Sequence, residues 1–439
     1  MDLKLFASFL NFHDLTSSEK ISGFFIDSRQ LIKDGVFFAL KGEQVDGHDF
    51  ISIAFEKGAL LCVVEEDRRK NLPKGGRYLF VKDTLKALQQ AAGMRFDKEN
   101  VALLGVTGSI GKTTTKNFLY DILKDQIKTY VSPRSYNSQI TFPLNILNAP
   151  PNQDLWILEM GLSQKHEMEK LVSIAAPNFV LLTPIVASHL AFFNDLKEIA
   201  LEKAKIFSKG RTQWALMMED SFALSSLLKI GTCEKEVISM LGPLFSILDE
   251  EEGKLVFKKN LKQSCSIGNI QKQHRENLLL SVHAAYRLGL SFEQISQKIP
   301  SLGASQGRFS LLRHEGVQYI DDTYNAAPFA VLKAIENIPK PKGKGRKLAL
   351  LGDMMELGSN SDHEHEEVLQ LALKELDLVI TLGKSFKKAA SQHFPKEENI
   401  KSYESFDEAL TSLQSKVKPG DSVLVKGARV FKLERVFKQ

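Results

Sequence analysis

The ten residues from Gly105 to Thr114, GVTGSIGKTT, combine closely spaced glycines, one lysine and a run of threonines. Such a set can hold phosphate. Gly108 and Gly111 let the backbone approach an anion, and Ser109 and Thr114 flank them at a helix start whose N–H groups stabilise phosphate oxygens. Lys112 would reach the terminal phosphates of a nucleotide, and Thr113 would offer its hydroxyl to Mg²⁺. The usual phosphate loop needs a glycine five places before Gly111. That place holds Val106, and the nearest glycine, Gly105, is one residue too early. The context is nevertheless right, because the apolar VALLGVT precedes the stretch and the amphipathic TTKNFLYDILKD follows it. The bland alternative is a glycine-rich strand-to-helix turn with an incidental lysine.

A magnesium site needs hard oxygen ligands. Glu159 ends the apolar strand LWILEMG, where its carboxylate would emerge beside the loop. In DLKEIALEKAKIF, the residues Leu196, Ile199, Ala200, Ile206 and Phe207 form an apolar stripe at helical spacing, and Lys203 falls into it. Glu198, Glu202, Lys205 and Lys209 are expected on the other face. An inward ammonium is costly unless it is paired or chemically altered; otherwise Lys203 snorkels past the edge of the stripe. SDHEHEEV, with His363 and His365, has the look of a metal cluster. Its spacing reads better as a helix start, with Ser361 and Glu364 in a capping box and acids in the first turn. His365 then remains free to line a site without binding metal.

These groups need a scaffold, and 439 residues imply two or three domains. An apolar share of 43% and a charged share of 25% are those of a soluble globular protein. The net charge of +5 is too slight to argue for nucleic acid, although a pI near 8.8 suits an anionic ligand. Cys62, Cys233 and Cys265 are few and far apart, which fits a reducing compartment without disulfides or a zinc motif. The N-terminus lacks a signal-peptide pattern, and the apolar run FVLLTPIVA is interrupted by Pro184, so no membrane span is expected. A cytoplasmic enzyme is the default.

The fold class expected is α/β in three units. Residues 1–98 read as a small mixed domain, with strand-like GVFFAL, ALLCVVEE and RYLFV and a helix at FISIAFEKG. Over 99–306 apolar strands alternate with amphipathic helices, which implies a parallel sheet with helical crossovers. The alternation resumes over 307–439 with LALLG, LDLVITLG and DSVLVKG, a Rossmann-like unit entered through a basic surface loop, PKPKGKGRK. Asp353, Gly383 and Lys426 fall just past strand ends, where open α/β sheets bind ligands.

Taken together, TGSIGKTT, LEMG, His189 in ASHL and EKAKIF resemble the ATP-dependent Mur ligases of peptidoglycan synthesis, whose own phosphate loop is shortened in this way. The resemblance spans nearly the whole chain. It implies a uridine-nucleotide domain at DSRQLIKDGVFFALKGEQVDGHDF, where Ser28, Arg29, Gly47 and His48 match positions around the UDP-sugar. DDTYNAAP, LLGDMMELG and VLVKGAR are similar to the member that joins D-alanyl-D-alanine to a UDP-N-acetylmuramoyl-tripeptide. The resemblance further implies ATP, two Mg²⁺ ions and a CO₂-derived carbamate on Lys203, with Thr113, Glu159, His189 and Lys203 as the metal set. Lys112, Arg308, Lys203 and His189 would be the catalytic groups. Arg308, Asn277 and Asp322 match ATP-contacting positions, Asn137 lies in the substrate stretch, and Tyr324, Asn325 and Lys426 match the acceptor region.

The chain departs from the family pattern in three places. Gln273-His274-Arg275-Glu276-Asn277 replaces a His-Asn-x-x-Asn stretch, Ser135-Tyr136-Asn137-Ser138 replaces Asn-x-Asn-Asn with Thr141 in place of a glycine, and Ala327 replaces an asparagine. The resemblance implies a monomer whose domains close over the substrates, because the loop and the acceptor motifs lie in different halves of the chain. Another ligase step of the family, a folylpolyglutamate-type ligase, or a P-loop switch or transport ATPase are the rivals. No Asn-Lys-x-Asp guanine signature accompanies the loop.

Overall fold

Four sheets organise the chain in the computed structural model, which describes residues 1–186, 192–219, 221–248, 253–258, 263–268 and 270–437. Near the N-terminus, Phe24–Phe25, Val36–Phe38, Leu61–Glu65 and Tyr78–Val81 pair in sequence order and in parallel. Its inner strands are apolar on both faces, as strands covered on both sides must be. Val36, Phe38, Leu61 and Val63 pack towards Phe6, Leu88 and Ala91, while Phe37, Cys62 and Val64 meet Ile51 and Ala54.

Six parallel strands build the central sheet, in the order Glu234–Ile238, Trp214–Met218, Phe179–Leu182, Ala102–Thr107, Leu155–Glu159, Thr129–Val131. The chain starts in the middle, at Ala102–Thr107, fills one side and then crosses to the other. The strand order therefore reverses beside the end of Ala102–Thr107, where open sheets leave a crevice. The helix Lys112–Leu123 departs from that point and buries Phe118, Leu119 and Ile122 against Leu278, Leu279 and Val282 of the helix Arg275–Arg287. The alternation of strands and helices read from the sequence is realised here. Absent from that reading was the antiparallel sheet Phe245–Leu248, Lys254–Phe257, Ser264–Ser266, whose short strands carry no long periodic signal.

In the fourth sheet the order is Ser310–His314, Val317–Asp322, Ser422–Lys426, Lys347–Gly352, Leu378–Leu382, Ile400–Tyr403, and only the first of these strands is antiparallel. One expectation fails here. The helix Ser361–Glu375 has no capping box, because the preceding 3₁₀ turn Gly358–Asn360 runs straight into it. Asn360 takes the N-cap position with helix-like backbone angles, and its side chain caps nothing. Asp362 and Glu364 do occupy the first turn.

The basic loop before Lys347–Gly352 is pinned by a buried acid. Asp421 accepts from the Arg346 and Lys418 backbone N–H groups at 2.9 Å each and from the Arg346 guanidinium at 2.8 Å. Burial pushes its carboxyl up, but Arg346 and the two N–H groups outweigh burial and hold it below the usual carboxylate range. A carboxyl lowered on folding stabilises above its unfolded pKa, and that contribution fades as pH falls through the folded value. Asp421→Ala is therefore expected to lower stability by about 2–3 kcal/mol at neutral pH, read by urea titration. The gap to the unmodified chain should close in acid.

Candidate active site

The phosphate loop leaves the central strand through two backbone positions that tolerate only glycine. Gly108 has φ +140°, and a Cβ there would lie 2.0 Å from Thr183 Oγ1. Gly111 has φ +81°, and its Cβ would lie 2.2 Å from Asn277 Oδ1. The glycine that is one residue early has a different duty. Gly105 sits inside the strand, where a Cβ would press on Met160 Sδ at 2.9 Å, while Val106 is fully buried. Past Gly111 no side chain caps the helix, so its first-turn N–H groups have no intrahelical acceptor. Lys112 folds back to donate to the Gly108 and Ser109 carbonyls at 2.9 and 3.0 Å. Burial lowers its pKa, against the pull of Glu159. Ser109 Oγ donates to Val186 O at 2.9 Å, and Thr114 is buried behind the loop.

Beside the loop, a chain of hydrogen bonds ends on Glu159, which is 1% exposed. Thr113 donates its hydroxyl to Glu159 Oε2 at 2.8 Å, and Asn137 Nδ2 donates to Oε1 at 2.7 Å. A carboxylate only accepts, which fixes the other directions. Ser135 Oγ must then donate to Thr113 Oγ1 at 2.8 Å, and Arg308 Nη2 donates to both, at 2.8 Å to Ser135 and 3.2 Å to Thr113. The Arg308 guanidinium also lies 3.8 Å from the centroid of the Tyr324 ring. Residues around the central sheet thus meet Arg308, from the segment before the strand Ser310–His314, at one helix start. A hydroxyl and a lone carboxylate converging there suit Mg²⁺, which takes few protein oxygens and completes its shell with water and phosphate. No cluster of three or more His, Cys, Asp or Glu able to hold a metal occurs among the described residues.

Lys203 stands near the end of the helix Leu196–Ala204, which Asp195 caps by accepting from Glu198 N at 2.7 Å. It is 1% exposed and has no ion pair among the described residues. Burial drives its pKa well down, the Lys112 cation adds to this, and Glu202 opposes it. Such an amine is held towards its neutral, nucleophilic form. Glu202, expected on the outer face, is 4% exposed and bonded to Lys205 Nζ at 2.7 Å. It stands three residues after Ile199 and four before Ile206, so it borders the apolar stripe and goes under with it. His189 lies outside the described residues.

The remaining candidates are placed as follows. Ser28 is buried, and the exposed Arg29 pairs with Asp27 at 2.8 Å. Gly47 packs where a Cβ would lie 2.7 Å from Leu40 backbone atoms. His48 uses both ring nitrogens internally, with Nδ1 2.6 Å from Asp46 and Nε2 accepting from Glu65 N at 3.0 Å. Asn277 accepts from Thr115 Oγ1 at 3.2 Å behind the loop. Asp322 pairs with Lys426 at 2.6 Å, and Lys426 also donates to Asn325 O at 2.9 Å. Asp353 caps the helix Lys384–His393 by accepting from Ser385 N and Phe386 N at 2.8 Å each. His365 is bonded within the fold. It is fully buried, accepting from Met354 N through Nε2 at 3.1 Å, with Nδ1 2.7 Å from Ser361 O and its ring on Phe386.

Sequence reasoning passed over Lys116, a fully buried lysine 3.9 Å from Glu159. The signal existed. Lys116 precedes Leu119 by three and Leu123 by seven, the same intrusion into an apolar stripe that singles out Lys203.

Residues 20–95 match the Mur ligase family catalytic domain, 106–242 the Mur ligase middle domain, and 307–429 the Mur ligase glutamate ligase domain. The UDP-N-acetylmuramoyl-tripeptide–D-alanyl-D-alanine ligase of Bacillus subtilis strain 168 is 30% identical over 427 residues, covering 95% of this chain and 93% of its own. The MurF ligase of Thermotoga maritima, solved with ADP, superposes with a TM-score of 0.80 at 27% identity, over 95% of this chain and 96% of that one. MurF from Acinetobacter baumannii shares the fold with a TM-score of 0.84 at 23% identity, over 100% of this chain and 98% of that one. With three family domains in order and a relative matched almost end to end, the chain belongs to the Mur ligase family.

Proposed function

We infer that the chain is an ATP-dependent ligase that joins D-alanyl-D-alanine to UDP-N-acetylmuramoyl-tripeptide, forming the pentapeptide precursor of peptidoglycan. The near full-length likeness to ligases of that name supports the substrates, as does the ADP complex of the Thermotoga maritima relative. The observation that carries the chemistry is the meeting of Thr113, Glu159 and Arg308 at the start of the phosphate helix. On this reading, residues 1–98 hold the UDP-sugar, 99–306 hold ATP, and 307–439 hold the acceptor. The enzyme acts as a monomer in the cytoplasm, where ATP is available.

In the first step a carboxylate oxygen of the tripeptide attacks the γ-phosphorus of ATP, forming an acyl phosphate and releasing ADP. The D-alanyl-D-alanine amine then attacks the acyl carbon, forming the amide, and phosphate leaves with the C–O bond electrons. Both steps bring anions together, so fixed positive charge is the main demand on the protein. Lys112 and Arg308 supply it at the helix start. Thr113 and Glu159, with His189, would hold Mg²⁺, which offsets charge on the phosphate oxygens. Lys203, held towards its neutral form, adds to CO₂ through its amine, loses a proton and becomes a carbamate. Its cation is thereby exchanged for an anion facing the metal site. Asn277 and Asp322 serve the nucleotide. Ser28, Arg29, Gly47, His48 and Asn137 serve the UDP-tripeptide, and Tyr324, Asn325 and Lys426 serve the acceptor.

ADP release should require both UDP-tripeptide and D-alanyl-D-alanine; steady hydrolysis with neither present would mark a switch or motor instead. Lys112→Ala should lower turnover by roughly two to three orders of magnitude while leaving the fold intact by circular dichroism. Gly111→Ala, forced into Asn277 at a left-handed position, should abolish ADP binding in a calorimetric titration. Protein incubated with ¹³C-bicarbonate should show a carbamate carbon by NMR that is missing from Lys203→Ala, and a Lys203→Ala enzyme of full activity in CO₂-depleted buffer would rule the carbamate out.

A further inference from the structure

The two side chains that hold Thr113 and Glu159 in place, Ser135 and Asn137, belong to no helix or strand. They ride on the turn between the strand Thr129–Val131 and the helix Thr141–Asn148. That turn is bent at Arg134, whose φ of +48° lies in the left-handed region that non-glycine residues enter only at a cost. Something must hold it there.

The second turn of the phosphate helix provides the holding group. Lys116 is fully buried, and its ammonium reaches Ser132 O at 2.6 Å, Ser132 Oγ at 3.2 Å and Arg134 O at 2.5 Å. An ammonium has three N–H bonds, and all three are used within this turn. The Arg134 carbonyl that it meets belongs to the left-handed residue itself. Ser132 Oγ in turn accepts from the backbone N–H of Glu159 at 3.3 Å, and the Lys116 charge lies 3.9 Å from Glu159 Oε2.

We propose that Lys116 is a positioning residue, whose buried ammonium clamps the Ser132–Asn137 turn onto the phosphate helix and thereby sets where Thr113, Ser135 and Glu159 meet. The clamp explains why a charge is kept in a fully buried place where a leucine would pack. It also explains why lysine suits the position better than arginine, since three oxygens converge on a point charge and not on a planar fork. Burial lowers the Lys116 pKa to about 8 and Arg308 adds to the fall, while Glu159 opposes it. The link to catalysis rests on Thr113 and Glu159 taking the nucleotide's Mg²⁺; the clamp itself does not.

The test compares the full-length chain with Lys116→Met, Ser132→Ala and the double variant Lys116→Met/Arg134→Gly. Amide hydrogen exchange across 132–137 and calorimetric MgADP affinity are the readouts. In Lys116→Met the turn should exchange faster, and the MgADP dissociation constant should rise by about tenfold or more. The double variant should recover part of both, because glycine adopts the left-handed bend freely. A residue that merely adds stability would lower the melting temperature and move neither readout. Unchanged exchange at 132–137 in folded Lys116→Met overturns the proposal. Should Lys116→Met fail to fold, Ser132→Ala carries the test: it keeps the ammonium but loses one acceptor, and unchanged exchange there is equally fatal. Faster exchange with unaltered MgADP affinity would uphold the clamp and count against the metal reading of Thr113 and Glu159.

Discussion

One buried carboxylate among three cations is the constraint on which the site depends. Glu159 is almost completely enclosed, and it lowers the cost of keeping Lys112 and Lys116 charged where burial favours their neutral forms. Arg308 opposes it by repelling the same two lysines. Such a cluster has net positive charge when it holds no anion, which is the condition for drawing in a triphosphate. Removing the carboxylate would leave buried ammonium groups facing one another, and removing a lysine would leave the carboxylate short of partners. The site is therefore a balance, in which the two lysines rely on Glu159 to offset their burial.

The scaffold makes that balance possible at one point. The reversal of strand order beside Ala102–Thr107 opens a crevice, and Leu155–Glu159, the next strand, delivers its terminal acid to the same edge. Gly105 keeps the strand close to Met160, and Gly108 and Gly111 bring the loop against Thr183 and Asn277. Asn277 reaches the loop from a helix that shares the apolar core with the phosphate helix, so the cradle is buttressed from behind. Arg308 arrives from a segment leading into the fourth sheet, with His274 Nε2 donating to its carbonyl oxygen at 3.0 Å. Burial lowers the His274 pKa.

Much of this was legible in the residues. Strand-to-helix alternation announced parallel sheets, because buried parallel strands must be apolar on both faces. The glycine spacing, Lys112 and Thr113 pointed to phosphate, and the inward position of Lys203 followed from helical periodicity alone. Other features left no readable trace. The small antiparallel sheet is made of strands too short to show a period, and the capping box at Ser361 failed because an upstream 3₁₀ turn redefined the helix start. Glu202 was misplaced for a related reason. Polar residues at the margin of an apolar stripe are buried or exposed according to what packs on them, which is a tertiary matter.

By itself, the order of residue types determined the class of fold, the phosphate loop and the presence of an unusually inward lysine, since these depend on local periodicity and on backbone positions only glycine can adopt. Only the tertiary structure decided which distant groups share the site. Ser135 and Asn137 gain meaning from a left-handed bend at Arg134, and Arg308 from its bond to Thr113 at the start of the phosphate helix. Residue types put Glu159 beside the loop and the family resemblance added Arg308, but hydrogen bonds act over about 3 Å whatever the separation along the chain, so the bonds of Ser135 to Thr113 and Arg308 came only with the fold.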